Sequence, residues 1–375
     1  MKKNGYTAIG LMSGTSLDGV DASILRTDGT KILELGAGVC REYSVREREV
    51  LLGATHDALQ WHFHGPKPDS FRVASKIIED AHIGVVRDLL ATAGMERDEV
   101  DIVGFHGQTV IHQPPQDGKN GQTLQIGRAQ VLAETLGVDV CYDFRSRDME
   151  HGGQGAPLVP VYHQALADLA KLSGVSAIIN IGGVSNLTLI SPDGEIFATD
   201  CGPGNGPIDA WVSKKGAGPY DIGGRYAMAG QANMDVLQSW LTAPFFHALP
   251  PKSADRWQFD VLKDLEGYNV QDGAATLATF CAFAIAHTLE QYNQPIENII
   301  VCGGGRYNQA IMDSLAKRTK RPVQNADELA WDGDFIEAQA FAYLAVRALM
   351  GLPITYPQTT GVSHPLCGGQ LVRAK

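Results

Sequence analysis

Three apolar runs in this chain stop abruptly at glycine-rich turns, and two of them are followed at once by a second run of strand character. Residues 6–13 (Tyr-Thr-Ala-Ile-Gly-Leu-Met-Ser) lead into Gly14, Thr15, Ser16, Leu17, Asp18 and Gly19, and residues 20–26 return with alternating polarity. Alternation around a tight polar turn predicts a β-hairpin. Residues 176–181 run into Gly182 and Gly183 before residues 184–190 return, and residues 298–302 run into Gly303, Gly304 and Gly305. Two similar hairpins about half the chain apart predict a duplicated domain. Glycine lets a backbone approach a ligand and turn its N–H groups inward, forming an anion nest without a side chain. Hydroxyls from Thr15 and Ser16 would add donors, and Asp18 would hold a metal-bound water. Any one such turn is equally a plain connection between strands; three together favour a nucleotide phosphate site. The Walker pattern is absent, because no lysine follows Gly19.

Composition narrows the partners. Hydrophobic residues make up 44% and charged residues 19% of 375, which excludes a disordered chain. A net charge of −11 with no Lys/Arg run argues against nucleic acid or an anionic membrane, so a bound phosphate needs backbone amides or a metal ion. The six cysteines form no CxxC pair, which argues against a zinc site or a disulfide framework. The first residues show no signal-peptide core, and the apolar stretch at about residues 274–289 is too short to span a bilayer. A cytoplasmic protein with a buried helix there is expected.

Residues 71–93 carry apolar side chains at helical spacing and stop at Gly94. A short strand at 100–105 then leads into His106, Gly107, Gln108 and Thr109, and another strand ends at Thr199 and Asp200. Hairpin, helix, then strand predicts a mixed α/β sheet with ligand loops at strand ends. Two such halves predict a cleft for a small molecule. The last strong helix is expected to start at Asp334 and to stop at Gly351 and Pro353.

Several side chains have two readings each. Asp200 before Cys-Gly-Pro-Gly-Asn is either an oriented general base or a cap on the helix near residues 208–211. Asp143, Arg145, Arg147 and Asp148 form either a salt-bridge network or a grip on a substrate carboxylate. Asp334 and Glu337 have capping-box spacing. His62, His64 and His106 have no acidic or cysteine partners at ligand spacing, which argues against a histidine metal site.

Taken together, the motifs resemble the 1,6-anhydro-N-acetylmuramic acid kinases, a branch of the sugar kinase–actin–heat-shock ATPase superfamily. The resemblance runs from about Ile9 to about Ala348. It rests on the 10–21 turn, Gly-Phe-His-Gly-Gln-Thr at 104–109, the Asp143 to Pro160 segment, Asn180 to Gly183 with Asn186, Asp200 to Asn205, and Cys302 to Asn308. It implies an α/β fold of duplicated actin-like, ribonuclease H-like domains flanking a central cleft. Residues 1–128 with 346–375 would form the N-terminal half. Residues 129–345 would form the C-terminal half, carrying the second phosphate hairpin and the adenosine loop. By resemblance, Gly14, Thr15, Ser16, Leu17, Asp18, Gly19, Val20 and Asp21 form the ATP phosphate loop, with Gly182, Gly183, Asn186, Gly303, Gly304 and Gly305 also on the nucleotide. Asp200 is then the catalytic base and Glu337 a second acidic catalytic residue, while Arg147, Asp18 and His106 meet the sugar. No side chain is assigned as a metal ligand.

The implied reaction opens the 1,6-anhydro bridge with water and phosphorylates the freed 6-oxygen from ATP with Mg²⁺, giving N-acetylmuramate 6-phosphate and ADP. A homodimer with no nucleic-acid or membrane partner is expected. Where relatives usually read Gly-Pro-Lys-Ser-Thr-Gly, this chain reads Pro250, Pro251, Lys252, Ser253, Ala254 and Asp255, and Lys252 receives no role. Two rival readings remain: a non-catalytic nucleotide-gated module, and a kinase for a different sugar.

Overall fold

The computed structural model describes residues 4–116, 120–254, 259–292 and 294–374. Residues 1–3, residues 117–119 of the Pro/Gly-rich loop, and Asp255 of the departing loop lie outside the described residues. The strands in chain order are β1 (Tyr6–Ser13), β2 (Gly19–Thr27), β3 (Ile32–Glu42), β4 (Ile102–Gln113), β5 (Gln122–Ile126), β6 (Val140–Tyr142), β7 (Val175–Ile181), β8 (Val184–Ile190), β9 (Ile196–Pro203), β10 (Ile296–Cys302), β11 (Gln324–Asn325) and β12 (Gln370–Val372). The chain divides into two compact units, one of Met1–Leu169 with Phe335–Lys375 and one of Ala170–Asp334.

In the first unit the sheet order is β12-β6-β4-β1-β2-β3, with β5 paired to β4. In the second it is β11-β10-β7-β8-β9. The pairing repeats as well as the order. β1 and β2 form an antiparallel hairpin, β3 adds antiparallel to β2, and β4 lies parallel to β1. β7, β8, β9 and β10 do the same in the second unit. The duplication expected from the two glycine-turned hairpins is therefore present in these strands, while β5 and β12 occur in the first sheet alone.

Burial follows the predicted periodicity. Helix Ser70–Ala93 buries Phe71, Ala74, Ile78, Ala81, Val85 and Leu89 against the first core, and Gly94 ends it with φ +63°. Helix Val270–Glu290 is the core helix of the second unit. It is the one helix among the described residues long and apolar enough to cross a membrane, and 78% of its apolar window is buried.

Two differences from the expected layout have clear causes. The boundaries fall at 169/170 and 334/335 instead of 128/129 and 345/346, because β6 joins the first sheet beside β4 and helix Ile336–Leu349 packs on β1. That helix seats on bare backbone. A Cβ on Gly10 of β1 would lie 1.7 Å from the Ala338 carbonyl oxygen, and one on Gly104 of β4 would lie 2.1 Å from that of Phe341. Gly10 and Gly104 are register partners, so two adjacent glycines make one flat seat. The second difference is length. β4 runs on through His106 and Thr109 to Gln113, and β9 runs through Asp200 to Pro203, so both motifs lie inside strands rather than in loops after them.

Candidate active site

In the first unit the 14–18 turn hangs between β1 and β2. Thr15, Ser16 and Asp18 are exposed, while Leu17 and Val20 are buried at 3% and 0%. The side chains of Leu17 and Val20 therefore belong to the core, and only their backbone is available to a ligand. The glycines also divide. A Cβ on Gly14 would meet nothing nearer than Ser16 Oγ at 3.6 Å, whereas one on Gly19 would lie 2.5 Å from the Arg41 carbonyl oxygen of β3. Gly14 leaves open space; Gly19 is glycine because a neighbouring strand needs the room.

A buried relay fixes the base of this turn. Ser13 Oγ donates to Gln108 Oε1 at 2.6 Å and accepts from the Tyr43 hydroxyl at 2.9 Å. Gln108 Nε2 donates to the Gly14 carbonyl at 3.2 Å, tying β4 to the turn. At the far side, Arg48 bonds the Leu17 carbonyl through Nε at 3.0 Å and pairs with Asp18 through Nη2.

His106 and Arg145 form a second fixed group. Arg145 Nε and Nη2 lie 3.1 and 2.9 Å from His106 Nε2, and Arg145 Nη1 donates to the Gly155 carbonyl at 2.7 Å. His106 Nδ1 lies 2.8 Å from the Gly107 carbonyl, so the ring proton sits on Nδ1 and Nε2 accepts. Burial first, and then the charge of Arg145, hold His106 well below the usual histidine range. It is a neutral acceptor that orients a guanidinium.

Glu337 stands in the first turn of helix Ile336–Leu349. Burial raises its pKa, the negative charge of Asp21 raises it further, and Arg145 lowers it. The capping-box reading fails. The N-cap is Phe335, with no side-chain cap bond, and Asp334 instead accepts from Arg306 Nη1 at 2.8 Å and from the Tyr307 hydroxyl at 2.9 Å.

In the Asp143–Asp148 cluster the two carboxylates take hydrogen bonds from neutral donors. Buried Asp148 accepts from the Gly155 amide at 2.7 Å and from Thr360 Oγ1 at 2.6 Å, latching a loop. Asp143 accepts from Gln370 Nε2 at 2.8 Å. Arg147 is exposed and makes no ion pair among the described residues.

In the second unit, register places Asn180 of β7 opposite Asn186 of β8, and Asn186 opposite Asp200 of β9. Directly opposed residues share a face of the sheet, so three polar side chains form one row across it. Asp200 is not a helix cap. It lies within β9, and its Oδ2 accepts from the Ala254 amide at 2.7 Å. Beside the row, the carbonyls of Gly182 and Gly183 accept from the amides of Asn205 at 2.7 Å and Gly204 at 3.1 Å, which fixes the turn. A Cβ on Gly182 would meet nothing nearer than Val184 O at 3.7 Å, and one on Gly304 nothing nearer than Asn205 Nδ2 at 3.7 Å. A Cβ on Gly303 or Gly305 would instead lie 2.2 Å from Asn180 Oδ1 or Ile181 Cγ2, so these two glycines make room for close packing.

Sequence reasoning left several of these residues without a role. Gln108, Arg145, Asn180 and Asn205 all stood inside quoted motifs, and Lys252 was set aside. The signal for Gln108 was a polar residue in an otherwise apolar strand, which must find a buried partner. Nothing in the spacing distinguished Arg145 from Arg147. Among the described residues no group of three or more His, Cys, Asp or Glu is placed to hold a metal ion.

The sequence pattern of the anhydro-N-acetylmuramic acid kinase family matches residues 6–374. A protein of that name from Rhodopseudomonas palustris (strain BisB18) is 46% identical over 368 residues, covering 98% of this chain and all of the relative. Another of that name, from Phenylobacterium zucineum (strain HLK1), is 44% identical over 365 residues, covering 97% and 99%. Among solved structures, the (R)-2-hydroxyglutaryl-CoA dehydratase component A of Acidaminococcus fermentans has a TM-score of 0.50 at 12% identity, covering 91% of this chain and 98% of that one. That likeness concerns the fold alone: a mixed α/β fold with two sheets of repeated strand order, as the actin-like fold class expects. An identity of this level held over whole chains settles the relationship: the chain belongs to the anhydro-N-acetylmuramic acid kinase family.

Proposed function

We propose that this kinase uses ATP to convert 1,6-anhydro-N-acetylmuramic acid and water into N-acetylmuramate 6-phosphate and ADP. Water adds at the anomeric carbon, the bond from that carbon to the bridging oxygen breaks, and the freed 6-oxygen takes the γ-phosphoryl group. The observation that carries this reading is Asp200, a carboxylate held inside a strand by the Ala254 amide and standing in a row with Asn186 and Asn180. A fixed carboxylate with polar neighbours suits a general base that draws the proton from water.

The other roles follow from the same geometry. Exposed Arg147, without an ion pair among the described residues, is suited to an anion on the sugar, and Arg145 is pre-oriented by His106 for a planar contact. The open turn at Gly14, and those at Gly182 and Gly304, offer backbone amides to phosphate oxygens. The mutual repulsion of Asp21 and Glu337 fits a divalent cation, because Mg²⁺ is usually held by one or two carboxylates together with phosphate oxygens. Asp21 would hold it, and when bound it would neutralise charge on the phosphates. The test is ADP release with anhydro-N-acetylmuramic acid present and absent, with mass analysis of the sugar product. Sugar-dependent ADP and a product heavier by water plus one phosphoryl group are expected. ADP release indifferent to the sugar would overturn the reading.

A further inference from the structure

β9 is the edge strand of the second sheet, so outward polar groups of Thr199 and Asp200 need partners from elsewhere. They find them in one short segment after the proline pair Pro250–Pro251. The Asp200 amide donates to the Lys252 carbonyl at 2.9 Å, and Thr199 Oγ1 exchanges bonds with the Lys252 amide and carbonyl at 3.0 and 3.2 Å. Two residues on, the Ala254 amide reaches the carboxylate of Asp200 itself. Backbone and side chain of one aspartate are thus both met by one short loop, through Lys252 and Ala254.

What holds that loop is a buried lysine. Lys252 is 8% exposed, its Nζ donates to the Phe245 carbonyl at 2.9 Å, and it stands 4.4 Å from the centre of the Phe245 ring. Burying an ammonium costs free energy unless its donors are engaged, and a methionine would fill the same volume without that cost. Burial lowers the lysine pKa, while the negative charge of Asp200 works the other way. Phe245 lies in helix Pro244–His247 and packs into the core of this unit, so the ammonium ties the loop to a rigid body.

We propose that Lys252 is a positioning residue for the reaction: it pins the 252–254 segment so that the Ala254 amide aims the Asp200 carboxylate at the attacking water. The inference rests on the reading of Asp200 as general base. It assigns the work to a residue that touches no reacting atom.

Two kinds of variant separate the parts. Ala254→Pro removes the N–H, Ala254→Gly keeps it, and Lys252→Met keeps the volume but loses the anchor. Steady-state kinetics with both substrates varied, on proteins checked by thermal melting, read the result. Ala254→Pro and Lys252→Met should each lower kcat at least about 10-fold with both KM values within about 3-fold, because misaimed general bases lose rate, not affinity. Ala254→Gly should stay within about 3-fold of the parent. A folded Ala254→Pro with parental kcat would overturn the inference, as would KM values that rise in step with the fall in kcat. If Lys252→Met does not fold, the Pro and Gly pair at 254 still decides. A parent protein that forms no sugar-dependent ADP would instead overturn the functional reading.

Discussion

Arg145 is held through two of its nitrogens by one acceptor, Nε2 of His106, at 3.1 and 2.9 Å. The tautomer that makes this work is set by the Gly107 carbonyl on the other ring nitrogen, and the ring packs 4.6 Å from Phe341. His106, expected from the resemblance to meet the sugar, holds an arginine in this structure. His106→Phe keeps the ring and its packing but removes the acceptor. The KM for the sugar should rise about 10-fold, the worth of one hydrogen bond to a charged group, with the KM for ATP unchanged. Initial-rate kinetics with each substrate varied would check this; an unchanged sugar KM would leave Arg145 as a purely structural group.

The two ends of the first turn should respond oppositely to the same substitution. Gly14→Val enters open space and should melt at the parental temperature while ATP affinity is lost, because the side chain fills room left for phosphate. Gly19→Val drives into the Arg41 carbonyl and should destabilise the first unit. Calorimetric ATP titration beside thermal melting reads both. A folded Gly14→Val with parental ATP affinity would remove the turn from the site.

Glu337 has a pKa raised above the ordinary 4.5 by burial and by Asp21. A raised acid binds its proton more tightly folded than unfolded, so its charged form costs stability as pH rises above 4.5. Glu337→Gln should therefore melt at or above the parental temperature at pH 7, with the difference shrinking toward pH 4. Its turnover should fall at least about 100-fold if the carboxylate works in the reaction. A variant that melts lower at pH 7 would mean that the carboxylate's contacts outweigh the cost of burying its charge.

Buried neutral histidines make the fold acid-sensitive. Burial pushes His82 down to about 4, His112 to about 4 and His163 to about 3, against an ordinary 6.5. The unfolded chain takes up protons first, so stability is whole above pH 6.5 and declines below it until those lower values are reached. His82 and His163, 0% and 1% exposed, should each contribute about 2 kcal/mol of loss between pH 6.5 and 5. Urea midpoints at pH 7 and 5 would measure this. His82→Gln should flatten the dependence; an unchanged slope would exclude His82 as a source.

Much of this fold could be read from residue order because hairpins and amphipathic helices are local. The glycines at 14 and 182 mark turns whose flanking runs pair with each other, and Phe71 to Leu89 carry their own period. What escaped depends on distant partners. Gly10 and Gly104 sit mid-strand, and only a helix more than 200 residues further on explains them. The domain boundaries moved for the same reason, since that helix returns to the first sheet. By spacing alone Asp200 could equally be a cap or a base, because a Gly-Pro-Gly turn and a helix follow it; the strand continues, and a loop 54 residues away reaches its carboxylate. Lys252 had no local signal at all. The row of Asn180, Asn186 and Asp200 needed strand register, which spacing alone does not supply.

The central claim is that Asp200 triggers both bond changes, and Asp200→Asn tests it most directly. The amide keeps the shape but cannot take a proton from water. Calorimetry on the variant should show ATP and sugar still bound, while bridge opening, followed as new reducing ends, and ADP formation fall together by about 10²–10⁴-fold. Opening that continues without ADP, ADP formed without opening, or turnover near the parental rate in both would contradict the account.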